Sequence, residues 1–232
     1  MLKIKRFIIL MVMAVFAVSI AAAQTTREMT VEESYLQDTI EIMIIRESAR
    51  TESREQKLIA LEYIGEAIER GNKNEEIRET LEYLSREGVR SVARENGRIV
   101  NNFPDVRRQS ARYLGIIGTE EAKNALIDIL QFENEPMVLQ EVIKSLGDIG
   151  INDNNETVAN IVWVVSRFDN LKPDNLMALA TIDAFEKIAR KNGGLNSPEA
   201  IQLLIRISEG SYVVPIKERA RQLIAELRNY GR

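Results

Sequence analysis

The 232-residue chain predicts an all-α fold, an α–α solenoid (superhelix) of stacked helical hairpins. Three observations carry this expectation. Apolar residues recur at helical spacing along the chain, and no segment alternates as a half-buried strand would. Residues 104–130 read as helix, one-residue stop, second helix, and residues 136–150 repeat the first half of that pattern. Self-similarity at such a period marks a stacked repeat, because one hairpin cannot bury its own apolar face.

The first residues read as an address. Lys3, Lys5 and Arg6 form a positive n-region, Phe7 to Ile20 is apolar apart from Ser19, and Ala21-Ala22-Ala23 supplies small residues before Gln24. This predicts a signal peptide over 1–23, with cleavage before Gln24 and export to the periplasm or outside the cell. The apolar run is shorter than the ~20 residues of a spanning helix. Retention as an uncleaved anchor is the alternative. No cysteine stands at the cleavage point, which excludes a lipid-anchored lipoprotein, and membrane contact is expected only through the transient signal. The chain has no cysteine anywhere, so no disulfide assists the core.

From Thr30, the run Thr-Val-Glu-Glu forms a capping box. It opens a helix with an apolar stripe of Val31, Tyr35, Leu36, Ile40, Met43 and Ile44, ending near Arg50. Residues 24–51 therefore read as an N-terminal capping helix ahead of a solenoid over 52–232. The stripe needs a neighbour, and the nearest is the helix from Ser53 to Arg70, with Leu58, Leu61, Ile64 and Ile68. Gly71-Asn72-Lys73-Asn74 is a turn by composition. Ile77, Leu81 and Leu84 then mark the partner helix. Residues 88–102 interrupt the spacing. There Val89, Val92, Ala93 and a stop at Asn96-Gly97 predict a short extra helix.

Pro104 suits a first helical turn, Gly118 can adopt the left-handed conformation that ends the helix, and Thr119 can cap the next. Ala122, Ala125, Leu126 and Ile129 give that second helix its inner stripe. Pro136, Val138, Val142, Leu146-Gly147 and Ile149-Gly150 repeat the first helix. A polar loop at 151–155 leads to Val158, Ile161, Val162 and Val165. The fourth unit pairs a helix over Pro173–Lys191 with one capped by Ser197 and opened by Pro198, after Gly193-Gly194. A last helix after Pro215, with Ala220, Leu223, Ile224 and Leu227, closes the stack.

Pro104-Asp105-Val106-Arg107, Ala111, Leu114-Gly115 and Ile117-Gly118, followed by Ala122, Ala125 and Leu126, resemble the short HEAT-like repeats of the phycobilisome-lyase type. The chain is thus identified as resembling a secreted bacterial HEAT-repeat domain protein. The likeness is strong over 104–130 and weaker elsewhere: over 136–168, where only the first helix matches, and at Ile64-Gly65, Pro173-Asp174 and Pro215-Ile216. Gln140 and Glu141 stand where the family usually carries basic residues. The resemblance implies an α-solenoid that binds macromolecules, with Arg107 supporting contacts between repeats. It does not imply lyase chemistry, since no catalytic residue accompanies the motif.

Absence of histidine and cysteine removes imidazole bases, Ser-His-Asp and Cys-His arrangements and His/Cys zinc sites. Glu32-Glu33, Glu75-Glu76 and Glu120-Glu121 lie in first helical turns, where carboxylates complement the helix dipole. Neither an enzyme nor a cofactor or metal site is expected. The sequon Asn155-Glu156-Thr157 is a by-product of an Asn-rich loop. Net charge is −4 at pH 7 and falls further once Lys3, Lys5 and Arg6 are removed, which argues against nucleic acid as a partner.

Two surfaces are candidates for a protein partner. Aligning the second helices on their inner stripes places Ile127, Trp163 and Ile205 in one column, edged by Arg167, Arg206 and Gln131; exposed, they form an apolar ridge. Arg86, Arg90, Arg94 and Arg98 recur every four residues, so a continuous helix sets them on one side as a patch for an anionic partner. The alternatives are burial between repeats for the ridge and a solvated, paired face for the arginines. The function expected is a non-catalytic binding scaffold or adaptor of the bacterial cell envelope. Its alternatives are a permanent structural part of an envelope assembly or, less favoured, an enzyme or enzyme-assembly factor of the lyase-associated HEAT-like type.

Overall fold

The computed structural model describes residues 30–169 and 173–230, so the expected signal peptide lies outside the described residues. Ten α-helices occupy them: α1 (Val31–Arg50), α2 (Arg54–Glu69), α3 (Glu75–Arg86), α4 (Pro104–Ile117), α5 (Glu120–Phe132), α6 (Pro136–Ile149), α7 (Glu156–Asp169), α8 (Asn175–Asn192), α9 (Pro198–Glu209) and α10 (Val214–Tyr230). Of the described residues, those up to Ile40 and those from Glu41 onward belong to separate compact units. Leu36 and Ile40 are exposed in the first.

Local chemistry sets most boundaries. The side chains of Ser53, Asn74, Thr119 and Ser197 accept from backbone N–H groups of the helices they precede. Gly118, at φ 76°, ends α4 in the left-handed region, and Gly150 does the same for α6. α8 starts at Asn175 rather than Pro173, because the Asp174 carboxylate accepts from the amides of Leu176 and Met177.

The second unit is a two-layered, solenoid-like stack. In one layer α2 packs on α4, α4 on α6, α6 on α8 and α8 on α10; in the other α3 packs on α5, α5 on α7 and α7 on α9. A continuous apolar core, including Leu61, Leu114, Leu126, Leu146, Ile161, Phe185 and Leu204, runs between them. The first layer is closely spaced because residues with no or small side chains meet there. A Cβ at Gly115 would stand 2.6 Å from the Ser145 Cβ, and one at Gly147 would stand 2.6 Å from the Ala184 Cα.

Two expectations fail here. Within the unit from Glu41 onward, Ile45 and Ala49 are buried while Met43 and Ile44 of the expected α1 stripe are exposed. The buried Lys57 donates from Nζ to the Ala49 carbonyl at 3.0 Å, which fixes the last turn of α1 with that face inward. Residues 88–102 form no helix. Arg94–Glu95 (β1) and Arg98–Ile99 (β2) pair as an antiparallel hairpin, with Arg94 opposite Ile99. Asn96 and Gly97 take φ of 49° and 80°, the positive values that a two-residue hairpin turn requires.

Gly147→Ala is expected to destabilise the protein by about 1–3 kcal/mol despite alanine's better helix propensity, because the new methyl meets backbone that no rotamer change can clear. Urea unfolding checks this through a lower midpoint at unchanged slope.

Candidate partner-binding surface

The surface is built on a buried ionic framework. Arg107, 1% exposed, donates from Nε to Glu133 Oε2 at 2.7 Å and from Nη2 to Glu133 Oε1 at 3.3 Å. Its Nη1 donates to the Glu87 carbonyl at 3.2 Å and to Asn102 Oδ1 at 2.9 Å. Glu133 Oε1 also accepts from the amides of Asn134 and Glu135. Arg107 thus joins its own hairpin to the end of the preceding one, in line with the inter-repeat role the resemblance implied.

Lys57 holds the matching place in α2, standing as far ahead of Gly65 as Arg107 stands ahead of Gly115. Its Nζ lies 2.8 Å from Glu87 Oε2, an ion contact without the angle of a directed hydrogen bond. Glu87 and Glu133 are the C-caps of α3 and α5. In both hairpins, therefore, a buried cation on the first helix meets the carboxylate that ends the second. Sequence reading overlooked Lys57 and Glu133, although the equal offsets from Gly65 and Gly115 signalled Lys57, and it gave Glu87 to the solvated arginine face rather than to a buried pair.

The framework reaches the surface at Arg167. Its Nη2 donates to the Glu133 carbonyl at 3.1 Å, and its guanidinium stacks 5.0 Å from the ring centroids of both Trp163 and Phe168. Trp163 is 51% exposed and Ile205, on the next helix of that layer, 41% exposed. Arg206 donates from Nη1 to Ser166 Oγ at 3.4 Å and so links α9 to α7.

Ile127 does not join them. It is 7% exposed, because α5 buries the arc carrying Lys123, Ile127 and Leu130 whereas α7 buries Thr157, Ile161 and Val164. The two helices are rotated differently about their axes, so equivalent positions fall on opposite sides of the buried edge. Gln131 on α5 is exposed, but with Ile127 buried beside it there is no apolar ridge at this helix for it to edge.

The arginine series divides as well. Helix α3 ends at Arg86, and Arg94 and Arg98 sit on the hairpin, so no helix sets the four on one side. Arg86 Nε donates to Asp128 Oδ2 at 3.1 Å, and Arg90 Nη1 to Asp128 Oδ1 at 2.5 Å. Arg90 also stacks 4.4 Å from the Phe132 ring centroid. Arg94 Nη1 donates to the Gly97 carbonyl within the turn.

Carboxylates in first turns are engaged in helix ends. The Glu121 carboxyl is held below its ordinary range by its own backbone N–H and the Thr119 hydroxyl. Glu120 and Glu156 flank the Lys123 ammonium at 2.6 and 2.9 Å. Burial opposes that charge, but the two carboxylates outweigh it and raise the lysine pKa. Among the described residues, no group of three or more acidic side chains is placed to hold a metal, and no helix is long and apolar enough to cross a membrane.

A match to a repeat family agrees with the helical-repeat architecture. Residues 98–170, from the hairpin through α7, match the model of the HEAT repeats family. An uncharacterized protein of Treponema pallidum (strain Nichols) is 30% identical over 123 residues, which is 52% of this chain and 22% of that protein. The chain therefore spans about a fifth of that relative's length. A cryo-EM structure of a de novo designed 16-helix transmembrane nanopore aligns over 84% of this chain and 62% of its own at 14% identity, with a TM-score of 0.28.

Arg107→Ala is expected to cost about 3–5 kcal/mol, since it strands a buried carboxylate. The pair Arg107→Leu with Glu133→Leu recovers only part of this, because the Asn134 and Glu135 amides lose their acceptor; thermal unfolding of the three proteins checks both points. A raised lysine pKa contributes stability below the ordinary value of 10.5 that is lost as pH rises through the folded-state value. Lys123→Met should therefore flatten the fall in unfolding midpoint above pH 10.5.

Proposed function

We propose that this chain is a non-catalytic protein-binding scaffold of the bacterial cell envelope that grips its partner with the face made by α7 and α9. The observation that carries the reading is Trp163, a large apolar ring half in solvent yet held in place by Arg167. An exposed tryptophan beside an arginine on a rigid helix is the usual composition of a binding hot spot. HEAT repeats commonly serve as protein-interaction scaffolds, and residues 98–170 match that family. The basic n-region and apolar run before Gln24 support export.

Placing a photo-crosslinking amino acid at position 163 in the native host, and separately at 127 and 94, tests the binding face. The expected result is one discrete adduct from 163 and none from the buried 127. Adducts from 94 alone would move the site to the hairpin, and silence at all positions from a stably produced protein would defeat the reading. Cell fractionation with N-terminal sequencing checks export, the expected mature start being Gln24.

A further inference from the structure

The ridge and the arginine series, separate in sequence, meet on one surface. Arg90 stacks on Phe132, which is exposed at the end of α5. The carbonyl of the very next residue, Glu133, accepts from Arg167, and Arg167 stacks on Trp163. Ile205 and Arg206 continue the surface on α9, with Arg206 bonded back to Ser166 of α7. Aromatic or aliphatic side chains thus alternate with guanidinium groups across three successive helices of one layer.

Their charges are not equally spent. Arg90 is paired with Asp128, which it shares with Arg86, as Arg107 is paired with Glu133 and Arg219 with Glu186. Arg167 and Arg206 instead rest, among the described residues, on uncharged oxygens: the Glu133 carbonyl, Asn134 Oδ1 and Ser166 Oγ. Hydrogen bonds of this kind orient a guanidinium without cancelling its charge. On a chain of net charge −4, two oriented and uncancelled cations beside exposed apolar groups form a local reversal of sign.

We infer that this strip is the docking surface for an acidic segment of another protein. One aromatic or aliphatic side chain of that segment lies against Trp163 and Ile205, and flanking carboxylates take Arg167 and Arg206. Guanidinium forks match carboxylates in geometry and form charge-assisted hydrogen bonds with them. A nucleic-acid backbone fits worse, because its affinity grows with the number of phosphates neutralised and Arg90 is already paired with Asp128. The inference rests on the protein-binding reading above and specifies the chemistry of its partner.

Selection of random peptides displayed on phage against the purified chain tests it, with Trp163→Ala and Arg206→Glu as parallel baits. Both substitutions are on exposed side chains, and unchanged thermal unfolding would show that the fold is kept. Enriched peptides should carry Asp or Glu beside an aromatic or aliphatic residue. Loss of Trp163 should weaken them by roughly thirty-fold, the scale of a binding hot spot. Arg206→Glu should turn the preference toward Lys and Arg.

Enriched peptides that are basic or neutral would overturn the proposal, as would tighter binding of a single-stranded oligothymidine than of any selected peptide. Peptides that bind the parent and both variants alike would sink the strip while leaving a protein-binding scaffold in place. Failure to enrich any peptide, together with silent crosslinking at position 163, would sink both.

Discussion

Buried charge runs from hairpin to hairpin through the ends of α3 and α5. Lys57 meets the Glu87 carboxylate, the Glu87 carbonyl receives Arg107, Arg107 meets the Glu133 carboxylate, and the Glu133 carbonyl receives Arg167. Glu87 and Glu133 each cap a helix whose final carbonyls and loop amides need partners, and Lys57 and Arg107 are buried only because those carboxylates are there to meet them. Two glutamates act twice, through side chain and backbone. The spacing of successive repeats and the orientation of Trp163 are consequently set by the same set of contacts.

The two layers divide the work. In the layer of α2, α4, α6 and α8, glycine at 65, 115 and 147 lets neighbouring helices close on Tyr113, Ser145 and Ala184. The opposite layer has no such close seam at Trp163 and Ile205, and bulky side chains there project into solvent. A firm first layer lets the second present an uneven surface without loss of register. The hairpin at Arg94–Ile99 is tied at its foot by Asn101, which donates to the Ser91 carbonyl and accepts from the Ala93 amide.

Helix ends were legible wherever a single local residue decides them: Ser53, Thr119, Gly118, Gly150 and Ser197 behave as their types predict. Asn96-Gly97 was ambiguous, since the same dipeptide ends a helix or turns a hairpin, and strands of two residues leave no alternation to read. The rotation of α5 relative to α7, which separates Ile127 from Trp163, depends on what packs on either side and leaves no periodic trace in either helix. The partners of Lys57 and Arg107 were hidden for a related reason. A glutamate at a helix end reads as solvated until the fold brings a cation from the facing helix.

Leu139 occupies in α6 the place that Arg107 holds in α4, counted from Gly147 and Gly115, and it is fully buried. The buried ionic line therefore stops at Arg167; beyond it the core is apolar, and ion pairs such as Arg219–Glu186 lie at its partly exposed edge. These two kinds of cohesion differ in what a truncation leaves behind: a lost partner in the ionic line strands a buried charge, whereas a trimmed side chain beyond it leaves a cavity. In a stack whose units contact only their neighbours, such a difference shows as direction. Single substitutions therefore fail in different ways along one continuous core, by stranded charge toward the N-terminal hairpins and by lost packing toward the C-terminal ones.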